Sequence, residues 1–554
     1  MGDMNEGQTI AYGFEGQRCP DLGNGFYKNP VVPGDHADPT ILKDGSDYYM
    51  TFSSFQASPG VIVWHSRDLV NWVPLCAALN EPLGSVWAMD FVKHNGRYFI
   101  YIPVLPPQGG SKIYVIHADN VAGPWSAPVD LGLEGCIDPG HALGEDGRRW
   151  LFVNGIRRIA LADDGLSVIG SLEKVYEPWQ YPQDWVVEMF APEGPKLFRR
   201  GEWFYLVSAV GGTAGPATSH MVIVARSRSI DGPWVDCPDN PIVRTKSAAE
   251  PWWSRGHASL VEGPSGDWWM VSHAYENGFR TLGRQTLLEP IEWTDDGWPR
   301  SLGGDLSTPL PKPAGGATGP SGFAFSDDFS QSRLGLQWTQ FGGGPDEGSR
   351  LQLAAGPGGR GLAMAARGSQ PANSAPLCML AVDRDYECEV SISCAPAGNR
   401  DGVADVGESG HPGVCGALLL YYNERMFCGV GFTGHALRTW HYGEEHVWVD
   451  LPVEAKRLRL KLQLRDQVAT WWYAVDEDGS LVRDGEPCRQ LAWRRQLCWR
   501  RQLAWRRHPW QMEVSGMNHN VFGGFTALKI ALASMGTGAV RFEDFRYRGP
   551  GEMV

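Results

Sequence analysis

Across residues 37–300, short apolar runs alternate with polar positions and are cut by Gly, Asp or Asn turns, a two-residue period that predicts strands throughout and little helix. The runs recur as one unit: a polar opening residue, a short apolar stretch, a Gly turn and an aromatic strand. The copies are Ala37-Asp38-Pro39 with Tyr48-Tyr49, Asp90 with Tyr98-Phe99, Ile137-Asp138-Pro139 with Trp150, Ala191-Pro192-Glu193 with Trp203-Phe204, and Gly256-His257 with Trp268-Trp269. Their openings lie roughly 50–65 residues apart, a period that points to β-propeller blades. A second half closes each unit. Trp64-His65-Ser66-Arg67-Asp68-Leu69-Val70-Asn71-Trp72 recurs as Tyr114 to Trp125 and as Val222 to Trp234; the third copy keeps only the Asp163-Asp164-Gly165 turn, and the fifth, Arg284 to Trp298, diverges further. Four strands in each of five units predict a five-bladed β-propeller over residues 25–302.

From Gly303 to Gly322 Pro and Gly dominate, which predicts an interdomain link with nothing of its own to pack. Alternation returns over residues 323–549, from Phe325-Ser326-Asp327-Asp328-Phe329 through Leu458-Arg459-Leu460-Lys461-Leu462 to Val540-Arg541-Phe542-Glu543-Asp544-Phe545, and predicts a β-sandwich. The expected fold class is therefore all-β, a five-bladed β-propeller followed by a C-terminal β-sandwich. Within the sandwich, Arg489-Gln490-Leu491-Ala492-Trp493-Arg494 repeats in tandem through Arg506, with Cys498 in place of one Ala. The tract at 489–507 reads as an insertion tolerated in a loop, since loops accept length at little cost. Its alternative reading is an Arg/Trp surface for an anionic membrane or polysaccharide.

Composition narrows the partners. A net charge of −14 argues against nucleic acid, which selects a basic face, while 24 Trp favour flat, neutral sugars. The 11 Cys are scattered and odd in number, so they are expected to be buried and reduced rather than a disulfide framework or a metal cluster. No stretch approaches the ~18 apolar residues of a membrane span, and the N-terminus lacks a basic segment followed by an apolar one. The expected location is cytoplasmic, or secreted if a leader was removed; no membrane partner is expected, and the oligomeric state is open.

In a propeller the innermost strand of each blade lines the axis, so the opening residues should converge. Asp38, Asp138 and Glu193 then form a ring of three carboxylates. Cleaving a glycosidic bond needs an acid to protonate the leaving oxygen and a carboxylate to attack carbon or activate water, and a third carboxylate would raise the acid's pKa by repulsion. An isolated Asp-Pro more often starts a strand or a turn, but recurrence at one blade position favours the catalytic reading. Tyr48-Tyr49 and Trp268-Trp269 are assigned to blade packing, and the Gly-rich stretch Gly356 to Gly361 to a turn.

His36-Ala37-Asp38-Pro39-Thr40, the Trp64 to Trp72 stretch, Ile137-Asp138-Pro139, Glu193-Gly194-Pro195 and Gly283-Arg284-Gln285-Thr286 fall in order and resemble glycoside hydrolase family 43. Ser515-Gly516-Met517-Asn518-His519-Asn520-Val521-Phe522-Gly523-Gly524-Phe525 resembles the concanavalin A-like sandwich of that family's two-domain arabinofuranosidases and xylosidases. The resemblance implies an inverting mechanism with Asp38 as general base, Glu193 as general acid and Asp138 as the carboxylate that orients the acid and raises its pKa. Base and acid are then expected roughly 6.5–9.5 Å apart. It also implies that Trp87, Arg284, Phe55 and His257 meet the sugar, and that His257 is the axial histidine that often holds a calcium ion. Calcium prefers oxygen ligands, so a metal-free structural histidine is the competing reading. The chain departs from the usual pattern at Gln285, where Glu is common, and at Met89, where Pro is common.

The activity implied is exo-acting release of α-L-arabinofuranosyl or β-D-xylosyl units from hemicellulose-derived oligosaccharides. His36-Ala37-Asp38-Pro39 with Thr51 to Gly60 resembles the arabinofuranosidase branch. No cofactor is expected for the chemistry, with structural calcium at the axis as the candidate addition. A non-catalytic carbohydrate-binding protein of the same fold is the alternative. The sandwich is expected to stabilise the propeller and to close one rim of the pocket.

Overall fold

The computed structural model describes residues 11–342, 347–353, 360–396, 413–446, 455–475 and 504–553. Five antiparallel sheets in the N-terminal half each run in chain order, the meander of a propeller blade. Blade one comprises Thr40–Asp44, Asp47–Thr51, Gly60–Ser66 and Val73–Leu79, and blade two Asp90–His94, Arg97–Leu105, Lys112–Ala118 and Val129–Glu134. Blade three comprises Gly140–Leu143, Arg149–Val153, Arg157–Leu161 and Val168–Lys174. Glu193–Arg200, Trp203–Val210, Met221–Ser227 and Val235–Asp236 make blade four, and Trp252–Glu262, Trp268–Glu276, Arg284–Trp293 and Pro299–Ser301 make blade five.

The repeated polar turn closes each blade for local reasons. Asp68 Oδ1 accepts from the backbone N–H of Val70 at 3.0 Å and of Asn71 at 2.7 Å, and Trp72 Nε1 donates to Leu69 O at 2.7 Å, so the motif caps itself. In the Gly-Pro-Trp versions, Gly123 and Gly232 sit at φ 90° and 91°, where a Cβ would press on the following Trp at 3.2 and 3.1 Å. The ring closes between its ends: Asn29 exchanges side-chain hydrogen bonds with the backbone of Leu288 at 2.9 and 2.8 Å, and Tyr27 O–H donates to Leu288 O at 2.8 Å.

The C-terminal half is two packed sheets, one including Leu377–Leu380, Cys415–Asn423, Met426–Phe432 and Lys529–Met535, the other Tyr386–Pro396, Leu458–Arg465, Val468–Val475 and Gly538–Arg548. Alternating inward residues of both sheets, among them Leu418, Leu420, Leu460, Leu462 and Trp471, form one apolar core. The two halves share a sheet, because Ala57–Ser58 of blade one pairs with Thr339–Phe341 at the sandwich edge.

The Pro/Gly stretch differs from an unpacked link. Leu310–Pro311 pairs with Phe26–Tyr27, Lys312 Nζ reaches Asp21 at 2.5 Å and Asp68 at 3.2 Å, and Phe323 packs edge-on against Trp64 at 5.2 Å. Pro and Gly report an irregular backbone, not an absence of partners. Of the hexapeptide tract, residues 489–503 lie outside the described residues; Arg506 and Arg507 belong to a strand, Arg506–Glu513, paired with Val468–Val475. The Gly356 to Gly361 turn likewise lies outside them up to residue 359. Nine cysteines are described, all free and mostly buried.

Candidate active site

Asp38 stands two residues ahead of the inner strand of blade one, and Asp138 two residues ahead of that of blade three. Both adopt left-handed backbone, φ 59° and 54°, as does His257 at φ 53° on blade five. A non-glycine residue held there costs on the order of 1–3 kcal/mol and is maintained only where surrounding contacts enforce it. Glu193 opens the inner strand of blade four at an irregularity in register, and His257 lies in a similar one. In a regular strand side chains alternate between the two faces of the sheet, and irregularities of this kind re-aim them.

Asp38 is buried and fully engaged. Arg284 Nη1 donates to its Oδ1 at 2.8 Å and Ser53 Oγ to its Oδ2 at 2.6 Å, while His273 Nδ1 and His257 Nδ1 lie 3.0 and 3.4 Å from Oδ1. Burial alone would raise its pKa, but Arg284 and the two imidazoles outweigh burial and hold it well below the usual carboxylate range.

The other two carboxylates go the opposite way. Burial and repulsion from Asp38 raise Asp138 to about 7, and burial followed by repulsion from Asp138 and Asp38 pushes Glu193 well above its ordinary value. Asp138 Oδ2 accepts from Gly194 N–H at 3.1 Å, tying it to the backbone beside Glu193. Glu193 keeps 21% of its side chain exposed, against 6% for Asp38, so it is the more accessible of the two to solvent. The ring thus favours the ionised form of Asp38 and the protonated form of Glu193, a base and an acid made different by environment alone.

A further acidic opening residue plays another part. Asp90 pairs with Lys196 Nζ at 2.7 Å, and the same ammonium donates to Met89 O at 2.7 Å and Pro139 O at 3.3 Å, joining blades two, three and four. Lys196 follows Glu193 by three residues, so this buried pair anchors the strand that carries it.

The aromatic side chains beside Arg284 come from both domains. Phe525 of the sandwich meets Trp87 edge-on at 5.5 Å, and the Arg284 guanidinium lies 5.6 Å from the Phe525 ring and 5.7 Å from the Phe55 ring. Phe525 is held by His519, which stacks on it at 4.0 Å and accepts its backbone N–H at 2.8 Å through Nδ1. Asn520 Nδ2 latches the loop to the propeller through Ala214 O at 3.0 Å and Gly215 O at 3.2 Å. Gln285 points away from the wall and accepts from Gly34 N–H at 3.2 Å.

The side chains at the axial site expected for calcium offer few oxygens. His257 is 4% exposed and stands beside His220 and His273, both at 0%, so the donors facing the axis are three imidazoles together with Asp38 and Glu193. Calcium takes six to eight oxygen ligands. His257 Nδ1 lies 3.4 Å from Asp38 Oδ1, which places it beside the carboxylate ring.

Asp38, Asp138, Glu193, Arg284, Phe55, Trp87 and His257, all named from sequence, lie in one connected cluster: Arg284 and His257 meet Asp38, Asp138 is bonded beside Glu193, and Phe525 links Arg284 to Trp87 with Phe55 beside the guanidinium. The sequence reading passed over Ser53, Lys196, His220, His273 and Phe525. His220 and His273 carried a signal, a histidine at the edge of an apolar run: His220 directly ahead of Met221-Val222-Ile223-Val224, and His273 within the mostly apolar stretch Trp268 to Tyr275. Phe525 stands in the stretch that carries the sandwich resemblance, but nothing local marks it as a site residue, because its place depends on the docking of a loop from the second domain.

Residues 27–299 match the model of the glycosyl hydrolases family 43. The chain is 30% identical over 343 residues to a non-reducing end α-L-arabinofuranosidase of Bacteroides ovatus, covering 57% of this chain and 61% of that protein. It is 32% identical over 316 residues to a xylan 1,3-β-xylosidase of Vibrio, covering 49% and 56%. These alignments thus span less than two thirds of the relatives' length. A crystal structure of the GH43 protein BlXynB from Bacillus licheniformis has the same fold over 95% of this chain and all of that one, with a TM-score of 0.78 at 24% identity.

Proposed function

From the premise that the propeller, residues 27–299, belongs to glycosyl hydrolase family 43, we propose that this protein is an exo-acting, inverting glycoside hydrolase that removes terminal α-L-arabinofuranosyl or β-D-xylosyl units from hemicellulose-derived oligosaccharides. The observation that carries the reading is the unlike surroundings of two carboxylates of one ring: Asp38 is buried against Arg284 at 2.8 Å and driven acidic, whereas the partly exposed Glu193 is driven basic by desolvation and by repulsion from Asp138 and Asp38.

Glu193 gives its proton to the glycosidic oxygen as the bond to the anomeric carbon breaks. Asp38 takes a proton from a water that attacks the same carbon from the opposite face, so the product has inverted configuration. Asp138, fixed to Gly194 N–H, keeps Glu193 protonated by repulsion. Arg284 and Ser53 hold Asp38 ionised and oriented, and Trp87, Phe55 and Phe525 supply the apolar faces that a sugar ring packs on. A wall contributed by the sandwich favours a pocket that takes one chain end, the basis of the exo assignment.

The test is proton NMR of the first sugar released from xylo-oligosaccharides and from arabinosylated ones. The reading expects single pentoses appearing first in the inverted anomer. Release of internal fragments, or first-formed product with retained configuration, contradicts it.

A further inference from the structure

Val186, Met189 and Phe190 are 67%, 53% and 41% exposed, and the chain reaches Glu193 three residues after Phe190. None of the three takes part in the hydrolytic step. Single exposed apolar side chains are ordinary on a protein surface, whereas a cluster of large ones at the edge of a site marks a contact.

The segment that presents them is fixed from beneath. Trp179, Tyr181, Trp185 and Val187 pack on Val210, Met221 and Ile223 of blade four, and the Arg244 guanidinium lies 3.4 Å from the Trp185 ring. Ser219 Oγ accepts from Glu188 N–H at 2.7 Å, Thr218 Oγ1 donates to Val186 O at 2.8 Å, and Glu188 Oε2 accepts from Ala214 N–H at 2.7 Å. Past Phe190, Pro192 O accepts from Gly155 N–H at 2.8 Å, and the Phe190 ring itself stands 6.0 Å from that of Tyr181. A surface held in this way is preorganised, so little ordering is lost when a ligand packs on it.

The strip lies on the acid's side of the site. Glu193 pairs with Ala209, which puts the loop 211–219 at the same end of blade four as the acid. That loop carries the partners of Val186 and Glu188 and also the carbonyls of Ala214 and Gly215 that Asn520 grips, so the strip, Glu193 and the Phe525 loop are gathered at one end of the blade. Three residues of chain span at most about 11 Å, which bounds the distance between the Phe190 and Glu193 backbones.

What belongs there follows from acid catalysis, and so rests on the hydrolase reading. The donor must come within about 2.6–3.2 Å of the glycosidic oxygen, and the departing residue is bonded to that oxygen, so it begins beside the Glu193 carboxyl. In a fragment built on xylose that residue is a xylopyranosyl ring. It lacks a hydroxymethyl group, presents C–H surface on both faces and keeps its hydroxyls at the rim, where they stay in water while a face is buried.

We propose that Val186, Met189 and Phe190 form the leaving-group subsite: the departing xylosyl residue packs a C–H face on this strip, which makes the protein favour xylose-built chains over aglycones without a ring. The strip therefore sets specificity for the leaving group, and Glu193 supplies the proton.

The experiment compares kcat/KM on xylobiose, or on xylobiose carrying one arabinofuranosyl branch, with kcat/KM on the methyl glycoside of the sugar released. Both oxygens leave only with a proton, so a displaced Glu193 lowers both rates alike, whereas a lost leaving-group contact lowers the first alone. Met189→Ala and Phe190→Ala, each checked for native circular dichroism, should lower the ratio of the two by roughly 10-fold, and Phe190→Tyr should restore it. A ratio unmoved in both alanine variants, equal losses on both substrates, or alanine variants that dissociate an oligomer in sedimentation while the ratio stands would each overturn the subsite and leave the hydrolase reading intact. Failure of the parent protein to cleave either substrate would overturn both.

Discussion

Arg284 Nη1 lies 2.8 Å from Asp38 Oδ1, with only 5% and 6% of the two side chains exposed. A buried carboxylate beside a buried guanidinium stays ionised at low pH, and removal of one partner strands the other. Arg284→Met should therefore raise the Asp38 pKa and lower kcat/KM at neutral pH by ~10²-fold or more. Asp38 works in its ionised form, which exists above its pKa, so the acidic limb of the pH profile should move to higher pH. A pH profile of kcat/KM with an unmoved acidic limb would count against this role.

Asp138→Asn removes the charge that most strongly raises Glu193 after burial. Glu193 works protonated, a state lost as pH rises through its pKa. The alkaline limb should shift to lower pH in the variant, read from the same profile.

Asp138 also bears on stability. Its folded pKa, about 7, exceeds the ordinary 3.8, so the native state holds a proton that the unfolded chain has released. Stability is full below the unfolded value and falls as pH rises from there through the folded one. Asp138→Asn escapes that loss. Its Tm should exceed that of the parent by a few degrees at pH 8 and match it at pH 3.5, measured by calorimetry.

Much of this was legible because a propeller writes its geometry as a period. Asp38, Asp138, Glu193 and His257 could be placed on one axis from spacing alone. Asp90 shares that spacing yet pairs with Lys196, because an opening residue's role depends on what the neighbouring blade offers. Likewise His257 was readable as axial, but not its company, since His220 immediately precedes the third strand of blade four and His273 lies in the second strand of blade five, neither at an opening position. The packed segment around Lys312 and the Phe525 wall depend on contacts between domains, for which local pattern holds no record.

Lys196→Met leaves Asp90 buried with its charge uncompensated. Urea unfolding should show a loss of about 3–5 kcal/mol, partly recovered in the Lys196→Met/Asp90→Asn double variant. A loss below ~1 kcal/mol would show that the pair does not anchor the blade four strand.

Phe525→Ala opens the pocket wall while leaving the propeller carboxylates in place. KM for small aryl glycosides should rise by roughly 10-fold, the scale of one lost aromatic contact, with kcat less affected. Steady-state kinetics with KM unchanged would mean that the sandwich does not contribute to sugar binding.

The assignment of Glu193 as acid and Asp38 as base is tested most directly by varying the leaving group. Glu193→Ala should lose ~10²-fold or more on p-nitrophenyl and oligosaccharide substrates yet regain much of its rate on a 2,4-dinitrophenyl glycoside, whose leaving group departs without a proton. Asp38→Ala should be equally impaired on all three. Equal losses in Glu193→Ala whatever the leaving group, or recovery in Asp38→Ala instead, would contradict the account.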